Sequence, residues 1–391
     1  MNPLIRVGMI VNSDFRHDGR VQKEALSLAA AGYAVTVFAL TARRPEEGRW
    51  PGVRVINPLS GSLAWFPYKL AYLAAYRQLL GALRREKCAV WHAHDLDVLP
   101  FAFLAAKLQG SKLVYDAHEY WPDYDWPGYG GRVSLARRLL WAGWRRLERR
   151  LARRCDLIVT VGEDIARLMA GEFKAPVPLV VRNCVDPVSP DYAGPTLRCV
   201  LNLAADVPLV VYTGKLLKGR GLENLVCALA GLPEVHLAVV GEGSLAGRLA
   251  EMAAVAGTAA RVHFVPPVPP PFVAGLISDA SLGAALIEDA SLSKRYSLPT
   301  KLFEYVAAGL PLLITDLPEM AGLVRRHGMG LALADAGPEQ IKAALTKLLA
   351  EPGRLAQLKA GAVRAGRELN WRNEVSLLTH AYAEMAGKPA E

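Results

Sequence analysis

The chain has 391 residues, 46 Lys and Arg against 37 Asp and Glu (net charge +9), and a hydrophobic content of 52%. That length exceeds one ordinary core and predicts two domains, and the apolar content excludes a disordered chain. Five scattered cysteines (Cys88, Cys155, Cys184, Cys199, Cys227), with no CxxC pair and no histidine at ligand spacing, argue against zinc and for buried free thiols in a reducing cytosol.

Residues 5–11 read as a buried strand, too short for a signal peptide, and residues 19–31 carry helical spacing stopped by Gly32. No stretch reaches the roughly 18 apolar residues of a spanning helix, so the expected location is cytoplasmic. Between this strand and helix, residues 12–21 form a polar loop in which Gly19 permits close backbone approach to a ligand; an ordinary capping loop is the alternative. Further strands follow at 33–40, 89–93, 112–115 and 157–161. Two of them end in His92-Ala93-His94-Asp95 and in Tyr115-Asp116-Ala117-His118-Glu119-Tyr120-Trp121, which places Asp95 and His118 where parallel strands deliver side chains to a ligand.

The excess positive charge is uneven: residues 1–195 hold 27 Lys and Arg against 19 Asp and Glu, and the rest 19 against 18. Much of it lies in residues 137–154, where arginine pairs recur every four residues and Leu140, Trp144, Leu147 and Leu151 follow helical spacing. Two readings stand: an anionic membrane surface meets the cationic face, or the helix packs on the core and its arginines are solvated. Nucleic acid is not expected, since no motif for it is present.

A Pro-rich break at 183–195 separates this half from strands at 209–213, 235–240, 262–265, 282–286 and 312–314. Continuous apolar runs separated by helices predict parallel sheets covered on both faces, hence two doubly wound units with a ligand cleft between them. Thr213-Gly214-Lys215-Leu216-Leu217-Lys218-Gly219-Arg220-Gly221 opens the second unit as a phosphate clamp of cations among glycines. Gly241-Glu242-Gly243 with Gly247 mimics a dinucleotide fingerprint but lacks the acidic residue that should follow. The proline run 266–271 reads as a short rigid loop without chemistry. Tyr296, Ser297, Leu298, Pro299 and Thr300 lead into a short helix stopped by Gly309, with Glu304 inside an otherwise apolar segment. An anion at the helix start and a carboxylate one turn further in suit a sugar nucleotide, with Glu304 on the ribose hydroxyls.

In this order, Asp18-Gly19-Arg20-Val21 with Glu24, the hinge Asn183 and Asp186, the loop from Gly214-Lys215 to Arg220-Gly221, the segment 298–305 and Trp371 before a terminal helix resemble the group-1, family-4-type retaining glycosyltransferases of the GT-B fold. The resemblance covers nearly the whole chain. It implies two Rossmann-like domains facing across a cleft: 1–190, completed by a helix at 372–391 crossing back, and 191–371 binding the nucleotide sugar. It implies a hexosyltransferase of cell-envelope polysaccharide biosynthesis, acting on a glycan, lipid-linked or small-molecule acceptor at the inner face of the membrane. It further implies that no cofactor or metal is needed, so that Asp95-Leu96-Asp97 is not a metal-binding triplet. Lys215 and Arg220 would hold the diphosphate with Gly19 and Gly214, and His118 would face the donor sugar with Asp95 beside it. The family's first motif glutamate is replaced by Tyr296, with Glu288 or Asp289 upstream as candidate substitutes. A sugar-nucleotide epimerase of the same architecture and a non-catalytic nucleotide-sugar-binding subunit are the competing readings.

Overall fold

The computed structural model describes residues 4–40, 50–57, 68–120 and 135–386, with only the backbone of 68–75, 136 and 137. The chain forms two compact units: the residues up to Val181 together with those from Val375 onward, and Arg182–Glu374. The helix Trp371–Ala386 is thus shared, its first turn belonging to the second unit and its remainder to the first.

The first unit holds the strands β1 (Arg6–Val11), β2 (Ala34–Ala39), β3 (Val53–Ile56), β4 (Val90–His94), β5 (Lys112–Ala117), β6 (Leu157–Thr160) and β7 (Leu179–Val180). They pair in parallel in the order β3-β2-β1-β4-β5-β6-β7. The strand order reverses between β1 and β4, and side chains leaving the carboxyl ends there converge on one place. Gly8 is required on β1, because a Cβ there would meet the Trp91 ring at 2.4 Å.

The second unit holds β8 (Leu209–Thr213), β9 (His236–Val240), β10 (Val262–Val265), β11 (Leu282–Ala285), β12 (Leu312–Thr315) and β13 (Gly330–Leu333), parallel in the order β10-β9-β8-β11-β12-β13. Successive β8 residues face opposite layers: Leu209 and Val211 pack in one apolar cluster, Val210 and Tyr212 in the other. Here the order reverses between β8 and β11. Tyr305 packs against β11 at Gly283, where a Cβ would lie 2.4 Å from its ring. Its hydroxyl accepts from the Thr213 amide and donates to the Ala284 carbonyl, both at 3.1 Å, and so ties β8 to β11.

Several expectations need correction. The proline run is a loop over 266–269 as expected, but Pro270 and Pro271 open the helix Pro270–Ile277, since proline fits a first turn whose amides have no helical partner. Cys88 and Cys184 are buried, but Cys199 and Cys227 are exposed. The basic helix, Leu135–Ala152, does not bury its apolar stripe throughout: Leu135, Leu139 and Leu140 are exposed, Trp144 and Leu147 are half-buried, and Leu151 is buried. Its other buried anchor is Glu148, which accepts from the Tyr115 hydroxyl at 2.7 Å.

Candidate active site

Each unit gathers its polar side chains at its own reversal of strand order. In the first, β4 places His92 and His94 two residues apart on one face, and β5 delivers Asp116 beside them. The helix Gly19–Ala30 begins after β1. Asp18 caps it by accepting from the Val21 amide, which sets Arg20 and Glu24 one turn apart on its buried face.

Arg20 donates to both Asp116 oxygens, at 2.9 and 3.0 Å, and to the Val181 carbonyl at 2.8 Å, and its Nε lies 3.0 Å from Glu24 Oε1. His118 Nε2 lies 3.0 Å from Asp116 Oδ2, and the His118 amide donates to Asp95 Oδ1 at 3.0 Å. Its Nδ1 lies 3.5 Å from Asp95 Oδ2. Asp95 takes a left-handed φ of +69°, a strained conformation for a non-glycine residue, held by its amide bond to the Asp116 carbonyl. His94 Nδ1 lies 3.2 Å from His118 Nε2, and His92 Nδ1 lies 2.8 Å from the Tyr382 hydroxyl.

Charges in this cluster follow from burial and these contacts. Burial opposes a positive His118, but Asp95 and then Asp116 outweigh it and push its pKa up to about 10. Burial, with the neighbouring Asp116, raises Glu24 to about 8, so it is largely protonated at neutral pH. Burial raises Asp116 too, yet Arg20 and His118 hold it well below the usual carboxylate range. Burial lowers both His92 and His94, which stay neutral. Glu24, His92, His94 and Asp116 offer ligand atoms within 4.8 Å of one another, the geometry a metal ion would need. The Arg20 guanidinium already lies against both carboxylates, so a divalent cation would meet a positive neighbour.

In the second unit, β8 ends in Thr213, whose hydroxyl donates to Glu304 Oε2 at 2.5 Å. Glu304 lies on the helix Thr300–Ala307, and Lys301 lies one turn before it. Lys301 is buried, with its Nζ 3.3 Å from the centre of the Tyr212 ring and 3.7 Å from where a Cβ on Gly214 would sit. Burial first, and Arg220 next, hold the Lys301 pKa well below its ordinary range, while Glu304 opposes the shift. Lys215 is exposed and Arg220 half-buried. Among the described residues, none of Lys215, Lys218, Arg220 and Lys301 has a carboxylate within ion-pairing distance. Cations beside a helix start are groups that can meet an anion.

Two consecutive family matches cover most of the chain. Residues 20–188 match Glycosyltransferase Family 4, and residues 195–364 match Glycosyl transferases group 1. This chain belongs to the group-1 glycosyltransferases of the GT-B fold. It is 25% identical over 395 residues to a D-inositol 3-phosphate glycosyltransferase of Rhodococcus jostii, covering 93% of this chain and 83% of the relative. Among solved structures it resembles sucrose-phosphate synthase from Thermosynechococcus elongatus, with a TM-score of 0.74, 18% identity, and 98% and 99% of the two chains covered. Anabaena HepE in complex with UDP-glucose gives a TM-score of 0.72 at 15% identity, over 98% and 100% of the chains.

Within this glycosyltransferase, the expected residues divide. His118 and Asp95 come together in the first unit, and Gly214, Lys215, Arg220 and Glu304 surround the end of β8 in the second. Gly19 opens its helix with nothing within 4 Å of a Cβ position, which leaves room for a ligand. Leu298 does not present a side chain to the site, because it is packed in the apolar core. The Ser297 hydroxyl donates to the Lys294 carbonyl, whereas Thr300 Oγ1 accepts from Asn183 and keeps its own O–H to donate. Pro299 caps the helix in extended conformation, and Tyr296 ends the short helix Leu292–Arg295. Asp289 pairs with Arg295 at 2.8 Å, whereas Glu288 Oε2 lies 3.9 Å from where a Cβ on Gly219 of the basic loop would sit.

Gly241 and Gly243 are packing residues. A Cβ on either would lie 2.0 Å from the Gly214 carbonyl or 2.3 Å from that of Leu216, so they admit the basic loop and form no dinucleotide site. Trp121 and residues 122–134 lie outside the described residues. The reading by sequence passed over Lys301, Asp116 and the tie made by Tyr305. The Lys301–Glu304 spacing was the available signal for the first. Among the described residues, no helix is long and apolar enough to cross a membrane.

Proposed function

We propose that this glycosyltransferase moves a hexose from a nucleoside-diphosphate sugar to a glycan, lipid-linked or small-molecule acceptor, with retention and without a metal. The observation that carries this reading is the pair of cations Lys215 and Arg220 on the loop after Gly214, with no carboxylate in ion-pairing reach among the described residues, and with buried Lys301 and Glu304 on the helix beside that loop. Lys215 and Arg220 neutralise the departing diphosphate, the role a metal plays elsewhere. Glu304, already held by Thr213, accepts from the ribose hydroxyls. His118 meets the donor sugar. The HepE complex with UDP-glucose and the inositol-phosphate enzyme of Rhodococcus support a nucleotide-sugar donor and a polyol acceptor.

The helix Leu135–Ala152 carries the membrane part of the reading. Exposed Leu135, Leu139 and Leu140 adjoin Arg138, Arg145, Arg146 and Arg150, an apolar edge within a cationic face that suits the anionic inner leaflet. Removing the charges of Arg145, Arg146, Arg149 and Arg150 should abolish binding to anionic vesicles, and undiminished binding sinks this part.

The transfer reading is tested by incubating the chain with UDP-, GDP-, ADP- and dTDP-hexoses and a panel of polyol and glycan acceptors, with EDTA throughout. Anomer-retained glycoside from one donor is the expected product. A new sugar nucleotide formed from donor alone would point to an epimerase, and no turnover despite tight donor binding to a non-catalytic subunit.

A further inference from the structure

We propose that Asp116 and Asp95 grip His118 from opposite ring nitrogens, that Arg20 is a positioning residue holding Asp116 in place, and that His118 therefore serves as a fixed cation and hydrogen-bond donor, never as a proton acceptor. The proposal rests on the transferase reading for what His118 meets, but its geometry stands without it.

The argument starts from acceptors. His118 Nε2 faces Asp116 Oδ2 at 3.0 Å, with His94 Nδ1 at 3.2 Å, so that nitrogen must carry a proton. Its Nδ1 faces a second carboxylate, Asp95 Oδ2, at 3.5 Å. A carboxylate beside each ring nitrogen favours the imidazolium over the neutral ring. The two contacts are unequal: the first is a hydrogen bond, whereas the second favours the charge yet is too long to use the proton well. The Nδ1–H is the donor left for a ligand oxygen, and the His118 side chain retains 18% of its exposure.

Asp116 cannot swing away, because Arg20 occupies both its oxygens and is itself fixed by the Val181 carbonyl. The groups facing His118 balance it. From the helix Gly19–Ala30 come positive Arg20 and protonated Glu24; from β4 and the turn after it, neutral His92 and His94 and negative Asp95; from β5, negative Asp116. Two cations meet two anions, so the imidazolium brings the cluster to zero net charge. A base in this position would need a ring nitrogen with an open lone pair, whereas Nε2 is taken by its bond to Asp116 and Nδ1 faces the carboxylate of Asp95.

Ring-15N-labelled histidine resolves the claim in the intact chain by NMR titration. In the natural protein both His118 nitrogens should remain protonated to about pH 9, well above an ordinary histidine at about 6.5. Asp116→Asn should lower the His118 proton affinity by more than about 100-fold, two pH units. If that variant does not fold, Asp95→Asn, at a partly exposed residue, should lower it by about 10-fold or more. Arg20→Lys, which keeps the charge but loses the paired bonds, should broaden or move the His118 signals and lower kcat with KM for donor little changed. A His118 that titrates near 6.5, or a rate that gains an acidic limb near that pH and loses it in His118→Gln, would overturn the proposal. So would one equivalent of a transition metal in the purified chain, lost in Glu24→Gln. If no nucleotide sugar binds, the transferase reading falls while the titration result stands by itself.

Discussion

The two units place charge at the same topological point and treat it in opposite ways. In the first, Arg20, His118, Asp95 and Asp116 neutralise one another. In the second, among the described residues, Lys215, Arg220 and Lys301 have no carboxylate in ion-pairing reach, and the Thr213 hydroxyl donates to Glu304. Compensated buried charge fixes geometry, and removing one member strands the others. Uncompensated charge raises the energy of the empty site and releases that cost when an anion arrives. The first cluster is therefore a device of structure and orientation, and the second one of binding.

Substitutions should separate the two along this line. The largest effect is expected for Asp116→Ala, which leaves Arg20 buried without its main counterion and should cost about 3–5 kcal/mol of stability by denaturant unfolding. Lys215→Ala should change stability by no more than about 0.5 kcal/mol, because its side chain is exposed. A comparable loss in both variants would break the comparison.

Next in size is an opposed pair of effects at Lys301. Lys301→Met removes a cation whose burial disfavours its charge, so the ligand-free chain should melt higher, while nucleoside-diphosphate affinity should fall by about 10-fold or more. Calorimetry and thermal melts of the same preparation check both signs. A variant that lost both stability and affinity would mark Lys301 as a core residue only.

A pH effect is expected at Glu148. Burial leads the causes that raise its pKa from an ordinary 4.5 to about 7, although the bond from Tyr115 opposes the shift. Between those values the folded chain holds a proton the unfolded chain has lost, so stability should fall as pH rises from 4.5 to 7. Glu148→Gln should flatten that slope, and an unchanged slope would assign it to other groups.

Much of the fold was legible because buried parallel strands are continuous apolar runs, as β1, β4, β8 and β9 are. The edge strands β3, β7 and β13 were not, being two to four residues long and only partly buried, without such a run. Glu304 and the basic loop could be read because each is local: a glycine-rich turn after a strand, a carboxylate in an apolar helix. Asp116 could not, because its bond to Arg20 joins residues 96 apart in the chain and exists only where the strand order reverses. Lys301 was hidden for another reason. Lysine seldom stays buried, so a lysine near a helix start reads as solvated until Tyr212 is seen beneath it.

The central claim is that the second unit holds a nucleoside diphosphate between its uncompensated cations and Glu304. Calorimetric titration of the intact chain with UDP, GDP, ADP and dTDP, repeated on Glu304→Ala, tests it most directly. The account predicts one site per chain for at least one of these, weakened by about 10–100-fold in the variant as a charge-assisted bond to ribose is lost. Absence of binding by all four, or equal binding to both proteins, would contradict it.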